Sequence, residues 1–257
     1  MSTPTPISVL VTTLNEEERL AECLASVMWA EERLVVDSGS VDRTAEIALE
    51  HGARVIVHPY ESPARQKNWG LTQCRHEWVL ILDADEVVSP ALAEELQALH
   101  SMGPRHDGHW IRRENVFMGK VMRYGGWESD RVIRFVQRDR ARYDDRLVHE
   151  EIDLPGPLPT LRHPMRHHTF RSFQQYWPKV ERYSVHGALD AFGRGKRANA
   201  WTVFSHAVGR FVRMYLLRRG FLDGGHGLVL ALFSTFTTYL KYARLWELSL
   251  RERKGER

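Results

Sequence analysis

Apolar runs alternate with segments of helical spacing over roughly the first 100 positions of the chain. Continuous runs of β-branched residues and leucine are typical of strands that are buried on both faces of a sheet. The predicted strands are Ile7–Leu14, Leu34–Val36, Arg54–His58 and Trp78–Leu82, and the predicted helices are Glu17–Trp29, Asp42–His51, Pro63–Cys74 and Pro90–His100. This alternation predicts βαβ units and an α/β fold with a mostly parallel central sheet and flanking helices.

The pattern changes in the second half of the chain. Short β-like segments are predicted at His109–Arg112 and Arg131–Val136, and a cluster of prolines at Pro155–Pro159 is a plausible domain boundary. The three predicted helices beyond it are Phe173–Phe192, Trp201–Arg219 and Gly227–Leu250. We therefore expect an α/β domain over residues 1–160 and a mainly helical C-terminal extension over residues 161–257.

A net charge of +3 conceals a strong asymmetry between the two parts. Up to Pro159 there are 18 lysines and arginines against 27 acids, a net charge of −9; from Thr160 onward there are 18 against 6, a net charge of +12. The basic C-terminal part suggests an anionic partner such as membrane lipid, a phosphorylated acceptor or nucleic acid, with a solvated basic surface as the alternative. Aromatic residues interleaved with arginines over 210–221 suit either a membrane interface or ordinary helix packing.

Other global features narrow the class of protein. The two cysteines, Cys23 and Cys74, lie far apart in sequence, which fits a reducing compartment and argues against a disulfide framework or a zinc site. The first residues contain neither a basic segment nor an apolar one, so no signal peptide is expected. The apolar stretch Gly227–Leu240 is shorter than the roughly 20 residues that a membrane-spanning helix needs.

Two acidic motifs come directly after apolar runs. They are Asp37-Ser38-Gly39-Ser40 and Asp83-Ala84-Asp85-Glu86. Open α/β sheets bind ligands at the carboxyl ends of their strands, where both motifs are expected to lie. Two carboxylates in an Asp-x-Asp arrangement can bind one divalent cation, and such a cation commonly also holds substrate phosphates. The motifs therefore predict metal-assisted handling of a nucleotide diphosphate, with simple loop or capping roles as the alternative; for Asp42, capping of the next helix is favoured.

Several segments resemble known signatures. Ile7–Glu17, Asp37–Thr44, Gln66–Gly70 and Asp83–Glu86 are similar, in this order, to the successive motifs of family 2 glycosyltransferases with a GT-A fold. Later segments extend the resemblance to the bacterial branch that adds glucose to inner-core heptose of lipopolysaccharide. These are Val148–Glu150, His167–Ser172, Tyr183-Ser184 and Arg219–Gly224. The resemblance implies that residues 1–160 bind the nucleotide sugar and carry out catalysis, and that the basic extension associates with the acceptor or the membrane.

The resemblance also implies roles on the donor side of the site. The residues expected to bind the UDP-sugar are Thr12, Asn15, Glu17, Asp37, Lys67 and Asp83. Asp37 would accept a hydrogen bond from uracil, and Asp83 would approach the ribose and the metal. Asp85 would coordinate the metal directly. The expected cofactor is a divalent metal, Mg²⁺ or Mn²⁺, which would stabilise the departing UDP.

An inverting transfer requires a general base near the acceptor hydroxyl. The resemblance suggests Glu150, with Glu151 as its rival because many relatives carry a Glu-Asp pair where this chain has Glu150-Glu151. His167 and Arg131 are candidates for contact with the diphosphate or the acceptor. Arg131 and Arg134 are expected on one face of a strand, facing acceptor phosphates or forming salt bridges to the acidic part.

The sequence as a whole predicts an inverting glycosyltransferase that moves a hexose, with glucose favoured, from a UDP-sugar to a hydroxyl of a lipid-linked glycan. The expected acceptor is inner-core heptose of lipopolysaccharide, and the expected location is cytoplasmic, peripheral on the inner face of the bacterial cytoplasmic membrane. A polyprenyl-phosphate sugar transferase shares the N-terminal motifs. A nucleotidyltransferase would carry a glycine-rich loop just after the first strand, and the segment Thr12–Glu16 contains no glycine. A non-catalytic module that binds nucleotide or nucleic acid is the weakest alternative, since no nucleic-acid recognition motif is present.

Overall fold

The computed structural model describes residues 5–144, 152–170 and 173–254. Its strands are β1 Thr5–Thr13, β2 Ala30–Asp37, β3 Arg54–Val57, β4 Trp78–Asp83, β5 Glu86–Val88, β6 Gly108–Phe117, β7 Lys120–Val121, β8 Arg131–Gln137, β9 Arg142–Tyr143, β10 Ile152–Asp153 and β11 Met165–Phe170. Its α-helices are α1 Leu20–Ala25, α2 Thr44–Glu50, α3 Pro63–Gln73, α4 Pro90–Met102, α5 Phe173–Gly193, α6 Ala200–Phe211 and α7 Gly225–Arg253. A π-helical segment, Val212–Leu217, and a 3₁₀ turn, Gly220–Asp223, lie between α6 and α7.

The chain divides into two compact units. The first unit comprises Met1–Glu114 and Asp130–His167, and the second unit comprises Asn115–Ser129 and His168–Arg257. Both units are therefore built from two separate stretches of the chain, and strands β6 and β11 each begin in the first unit and end in the second.

The first unit is built on a sheet whose strands run in the order β3-β2-β1-β4-β8-β6. The pairs β3–β2, β2–β1 and β1–β4 are parallel, and β8 and β6 extend the sheet in antiparallel fashion. Strand β5 pairs with the beginning of β11. The α/β fold with a mostly parallel central sheet and flanking helices, which the sequence predicted, is confirmed.

Both faces of this sheet are buried, as the continuous apolar runs indicated. On one face, Val9 and Leu80 pack in a cluster with Leu24 of α1 and Leu92 of α4. On the other face, their neighbours in the strands form a second cluster with residues of α3. The members that illustrate this second cluster are Leu10, Val79, Ile81, Ala64 and Leu71. Because adjacent strand residues point to opposite faces, each strand contributes to both clusters.

Several predicted boundaries were wrong, among them both ends of helix α1, which ends at Ala25 rather than Trp29, and the beginning of strand β2. Helix α1 begins only at Leu20, because the backbone N–H of Glu16 donates to Thr44 Oγ1 at 2.8 Å and that of Glu17 donates to Asp42 Oδ2 at 3.2 Å. These contacts hold the preceding residues in a loop. Strand β2 begins at Ala30 rather than Leu34, since the buried Glu32 is accommodated inside the sheet by a hydrogen bond from Ser8 at 2.6 Å.

The second unit is mainly helical, as its sequence predicted, with α7 packed against both α5 and α6. The predicted helix Trp201–Arg219 instead ends at Phe211 and continues as the π-helical segment. Met214 in that segment is buried in a cluster with Phe117 and Leu230, so this residue of the aromatic and basic stretch packs inside the second unit. Among the described helices, none has the length and apolar character needed to cross a membrane. Cys23 and Cys74 are both buried free thiols.

Candidate active site

The two acidic motifs meet at the carboxyl edge of the parallel strands. In the register of the sheet, Thr13 at the end of β1 lies beside Asp37 at the end of β2. On the other side of β1, Thr12 lies beside Asp83 at the end of β4. Residues that are about 45 positions apart in sequence thus flank the same strand end, which is the position where open α/β sheets bind ligands.

The loop after β2 is organised by the Asp37 carboxylate. Its Oδ2 accepts hydrogen bonds from the backbone N–H of Gly39 at 3.1 Å and of Ser40 at 2.8 Å, and its Oδ1 accepts one from the Ser40 hydroxyl. Gly39 has φ of +91°, a conformation that favours glycine. The Ser-Gly-Ser sequence therefore forms a tight turn around the carboxylate.

The loops after β1 and β2 are joined by hydrogen bonds. Asn15, with φ of +53°, receives a hydrogen bond on its Oδ1 from the Val41 N–H at 2.9 Å, and its own N–H donates to Ser40 Oγ at 2.8 Å. Glu17 accepts a hydrogen bond from the Arg43 N–H at 3.0 Å. The structure thus brings together Asn15, Glu17 and the Asp37 motif, three parts of the predicted donor site.

The N-cap of helix α2 is Arg43 rather than Asp42, which the sequence favoured; the Asp42 carboxylate lies one residue earlier and binds the first helical residue, Thr44. Asp42 Oδ1 accepts hydrogen bonds from the backbone N–H of Thr44 at 3.0 Å and from the Thr44 hydroxyl. Burial opposes ionisation of this carboxyl, but the hydrogen bonds from Thr44 and from the Glu17 backbone outweigh it and hold the pKa of Asp42 below its ordinary value.

Asp83 lies between two cations. The Nζ of the buried Lys67 is 3.1 Å from Asp83 Oδ1, and the guanidinium of Arg134 forms an ion pair with Asp83 Oδ2. Burial raises the pKa of Asp83, but Arg134 and Lys67 outweigh that effect and lower it well below its ordinary value. Lys67 Nζ also lies 5.4 Å from the ring centroid of Tyr143. The lysine and the carboxylate are therefore held in fixed positions.

A chain of buried ion pairs continues from Arg134. Its Nη2 is 3.0 Å from Oε1 of the fully buried Glu86, and Glu86 Oε2 accepts the backbone N–H of Asp83 at 2.9 Å. Arg113 lies 3.5 Å from the same Glu86 oxygen and forms a bidentate pair with Asp130, with its closer contact at 2.9 Å. Because each buried charge has an opposite neighbour, the turn that carries Asp83 and Asp85 is firmly supported.

Asp85 faces a different pair of side chains. Arg19 Nη1 lies 3.3 Å from Asp85 Oδ2, and His167 Nε2 lies 3.7 Å from Asp85 Oδ1. His167 reaches this position because β11 pairs with β5, where His167 is in register with Glu86. Within the described ranges, no group of three or more His, Cys, Asp or Glu side chains is gathered as a complete metal site.

The two arginines of β8 do not share a face, contrary to the prediction. Arg134 is buried in the ion pairs described above, so the alternative of salt bridges to the acidic part is correct for this residue. Arg131 is exposed, lies 4.7 Å from the ring centroid of Trp110 and donates to Thr160 Oγ1 at 3.3 Å. The reason is their odd spacing of three residues, which places them on opposite sides of a strand.

Sequence reasoning missed three residues that support this site. Arg19 contacts Asp85, Glu86 joins the ion-pair chain, and Tyr143 lies under Lys67. Only Glu86 had a signal in the sequence, since it follows the Asp-x-Asp motif directly. The predicted base, Glu150, and its rival, Glu151, lie outside the described residues.

Residues 8–149 match the sequence model of Glycosyl transferase family 2, which is more than half of the chain. The chain belongs to glycosyltransferase family 2. The matched segment includes β1, β2, β4 and the residues around Asp83.

Two relatives align with this family 2 glycosyltransferase over nearly its whole length. An uncharacterized glycosyltransferase of Rickettsia typhi is 29% identical over 260 residues, which cover 96% of this chain and 89% of the relative. The lipopolysaccharide core biosynthesis glycosyltransferase LpsC of Rhizobium meliloti is 28% identical over 250 residues, which cover 94% of this chain and 92% of LpsC. The similarity therefore includes the second unit as well as the first.

Proposed function

We propose that this family 2 glycosyltransferase moves a hexose, with glucose as the expected donor sugar, from a UDP-sugar to a hydroxyl of a lipid-linked glycan. The observation that carries the proposal is the convergence of Asp37, Asp83 and Asp85 at one carboxyl edge of the sheet, with Asp83 held between Lys67 and Arg134. Such an edge offers separate contacts to a base, a ribose and a diphosphate.

The nucleotide is proposed to bind along the joined loops after β1 and β2. A carboxylate offers about four acceptor positions, and the Asp37 loop uses three of them. The remaining position suits an N–H of uracil. Asp83, whose two oxygens each meet a cation, is better suited to a ribose hydroxyl than to a metal. Thr12, Asn15 and Glu17 complete the proposed donor site.

The residues around Asp85 fit a divalent cation. In an octahedral site with bonds of about 2.1 Å, adjacent ligand atoms lie about 3 Å apart and opposite ones about 4.2 Å apart. The Oδ1–Nε2 separation of 3.7 Å between Asp85 and His167 exceeds the adjacent-ligand distance by about 0.7 Å, so the two side chains would close on the cation by that amount when it binds. We propose that these two residues hold Mg²⁺ or Mn²⁺, with diphosphate oxygens and water as the other ligands. When bound, the cation supplies charge neutralisation for the departing UDP.

The acceptor hydroxyl requires a base, and Glu150 is the proposed one, with Glu151 as the rival. The carboxylate takes the hydroxyl proton while the hydroxyl oxygen attacks the anomeric carbon from the face opposite UDP. A single displacement of this kind inverts the anomeric centre. Arg131, exposed and stacked on Trp110, remains a candidate for contact with the acceptor.

The proposed acceptor is the inner core of lipopolysaccharide, with heptose as the sugar that is glucosylated. The similarity to the lipopolysaccharide core biosynthesis glycosyltransferase LpsC, which extends over 94% of this chain, supports this choice of acceptor. The proposed location is the cytoplasmic face of the bacterial membrane. Its support is an exposed apolar group beside basic residues: Leu217 is 75% exposed and Phe221 is 46% exposed, and Arg218 and Arg219 lie between them in sequence.

The test is a transfer assay with radiolabelled UDP-sugars and lipopolysaccharide truncated at the inner-core heptose. UDP-glucose should label this acceptor in the presence of Mn²⁺, and UDP-galactose and UDP-N-acetylglucosamine should label it far less. Polyprenyl phosphate serves as the competing acceptor. Transfer to polyprenyl phosphate in preference to the truncated lipopolysaccharide would contradict the proposed acceptor while leaving the family assignment intact.

A further inference from the structure

Three arginines line one cavity within the second unit. The cavity measures about 60 Å³, and Arg210, Arg213 and Arg218 line it together with Gly126 and Trp127. On the same measure, a single water molecule needs about 10–15 Å³. The cavity therefore has room for a small tetrahedral anion.

The backbone brings these arginines together through unusual local geometry. The N–H of Arg218 donates to the carbonyl of Arg213 at 2.8 Å, five residues back, as in a π-helix. This widened turn follows directly after α6, which carries Arg210. π-Helical segments of this kind occur frequently at functional sites. The three arginines consequently border one opening.

Two glycines form the opposite wall of the cavity. Gly125 donates its N–H to the carbonyl of Arg218 at 2.9 Å, and the guanidinium of Arg218 lies against Gly126. A Cβ atom at Gly126 would come within 2.0 Å of Arg218 Nη1, and this glycine has φ of +94°. The positive φ strongly favours glycine here, and a side chain would also displace the flexible Arg218 guanidinium from its position against the backbone.

Among the residues that the structure describes, no carboxylate is paired with these three arginines, Arg210, Arg213 and Arg218. The carboxylate of Glu128 lies beside the cavity wall, where it accepts the backbone N–H of Gly126 at 2.8 Å. Burial, followed by repulsion from Arg213 and Arg218, lowers the pKa of Arg210.

Some arginines of the second unit, in contrast, are paired with acids. Arg197 pairs with Glu252, and Arg251 pairs with Glu247 at 2.6 Å. Arg194 also pairs with an acid, Asp190. An anion in the cavity would relieve the mutual repulsion of the three cavity arginines.

We infer that this cavity binds a phosphate group, in the form of a phosphomonoester. The planar fork of a guanidinium matches phosphate oxygens, and charge-assisted hydrogen bonds of this type are among the stronger ones. The concave shape favours a single inserted dianion over diffuse contact with a charged surface. We assign this phosphate to the glycosyl acceptor, and that assignment rests on the proposed function. The inference that the cavity binds phosphate does not depend on the proposed function.

The experiment is calorimetric titration of the full chain with inorganic phosphate at constant ionic strength. Arg213→Gln should weaken binding by roughly tenfold or more, the effect of losing one charge-assisted hydrogen bond. Arg251→Gln is the control, because it removes the same charge from an arginine that is paired with an acid. Thermal unfolding of both variants verifies that they are folded.

Two further arms identify the source of the phosphate. Vesicles of phosphatidylcholine that contain phosphatidic acid present a lipid phosphomonoester, and phosphatidylcholine alone is the blank. Displacement of the protein from the phosphatidic acid vesicles by inorganic phosphate would identify the lipid headgroup as a source. Retention on these vesicles, together with phosphate binding in solution, would show that the vesicles bind another surface and would exclude the lipid headgroup as the source.

The inference is overturned if the folded wild-type protein shows no saturable phosphate binding, or if Arg213→Gln and Arg251→Gln weaken it equally. Neither result would contradict the proposed transfer reaction. That reaction is tested by UDP-sugar binding, which is proposed to involve residues of the first unit. Conversely, phosphate binding that depends on Arg213 stands even if no glycosyl transfer is found.

Discussion

Arg134 on β8 forms an ion pair with Asp83 at the end of β4, although the two residues are 51 positions apart in sequence. The same guanidinium reaches the buried carboxylate of Glu86 at 3.0 Å. An antiparallel strand thus supplies the cation that positions an acidic motif on a parallel strand. The support of the proposed donor site is therefore part of the fold itself.

Replacing Arg134 should destabilise the protein strongly. Arg134→Gln leaves Glu86 buried without its closest cation, and breaking a buried pair in this way costs about 3–5 kcal/mol. Urea unfolding monitored by circular dichroism measures the loss. Arg131→Gln, on the same strand but exposed, is the matched control and should change the free energy of unfolding by about 0.5 kcal/mol or less. Equal stability of the two variants would show that the ion-pair chain contributes little.

The general base can be identified by kinetics. Glu150→Gln should retain UDP-sugar affinity but lower the transfer rate by about 10²–10⁴-fold, the usual contribution of a general base. Glu151→Gln is the natural comparison, because it removes the neighbouring carboxylate. If Glu151→Gln shows the large loss and Glu150→Gln does not, the base is Glu151. Near-normal transfer rates in both variants would show that neither Glu150 nor Glu151 is the general base.

His109 should make stability depend on pH. Burial, and to a lesser extent His106, lowers the pKa of His109 from 6.5 to about 4, and its Nδ1 is buried without a hydrogen-bond partner among the described residues. Between these pH values the folded protein keeps His109 neutral while the unfolded chain takes up a proton. This contribution to stability is therefore complete above pH 6.5 and is lost as the pH falls towards 4.

His109→Phe should remove this dependence and leave the variant more stable relative to wild type at pH 5 than at pH 7, by on the order of 2 kcal/mol. Urea unfolding at a series of pH values provides the measurement. His106→Gln should retain most of the slope, because burial is the larger cause of the shift. An unchanged slope in His109→Phe would show that another group titrates there.

The sheet was predictable because its strands are short apolar runs bounded by polar turns. The run from Trp78 to Leu82 lies inside strand β4, which extends by only one residue to Asp83. The meeting of Asp37 and Asp83 also followed from the sequence, since both come at the ends of parallel strands. Local patterns that agree with the final fold are the ones that sequence reasoning can identify.

The rest depended on contacts between distant residues. The beginning of β2 was missed because a charged residue, Glu32, is not expected inside a buried strand. Its partners Ser8 and Arg54 are 24 and 22 residues away in sequence. The early end of the regular helix at Phe211 had no local signal, because the π-helical hydrogen bond depends on backbone geometry rather than on residue type. The pairing of Asp85 with His167 required knowledge that β11 lies beside β5.

The most direct test of the account is calorimetric titration with UDP-glucose, with Mn²⁺ and again with EDTA, on the wild-type protein and Asp85→Asn. Asp139→Asn, an exposed acid of the first unit that pairs with Arg138, is the control. The account predicts metal-dependent binding by wild type and Asp139→Asn, and a loss of at least about tenfold in the metal-dependent affinity of Asp85→Asn. Unchanged metal-dependent binding by Asp85→Asn would contradict it.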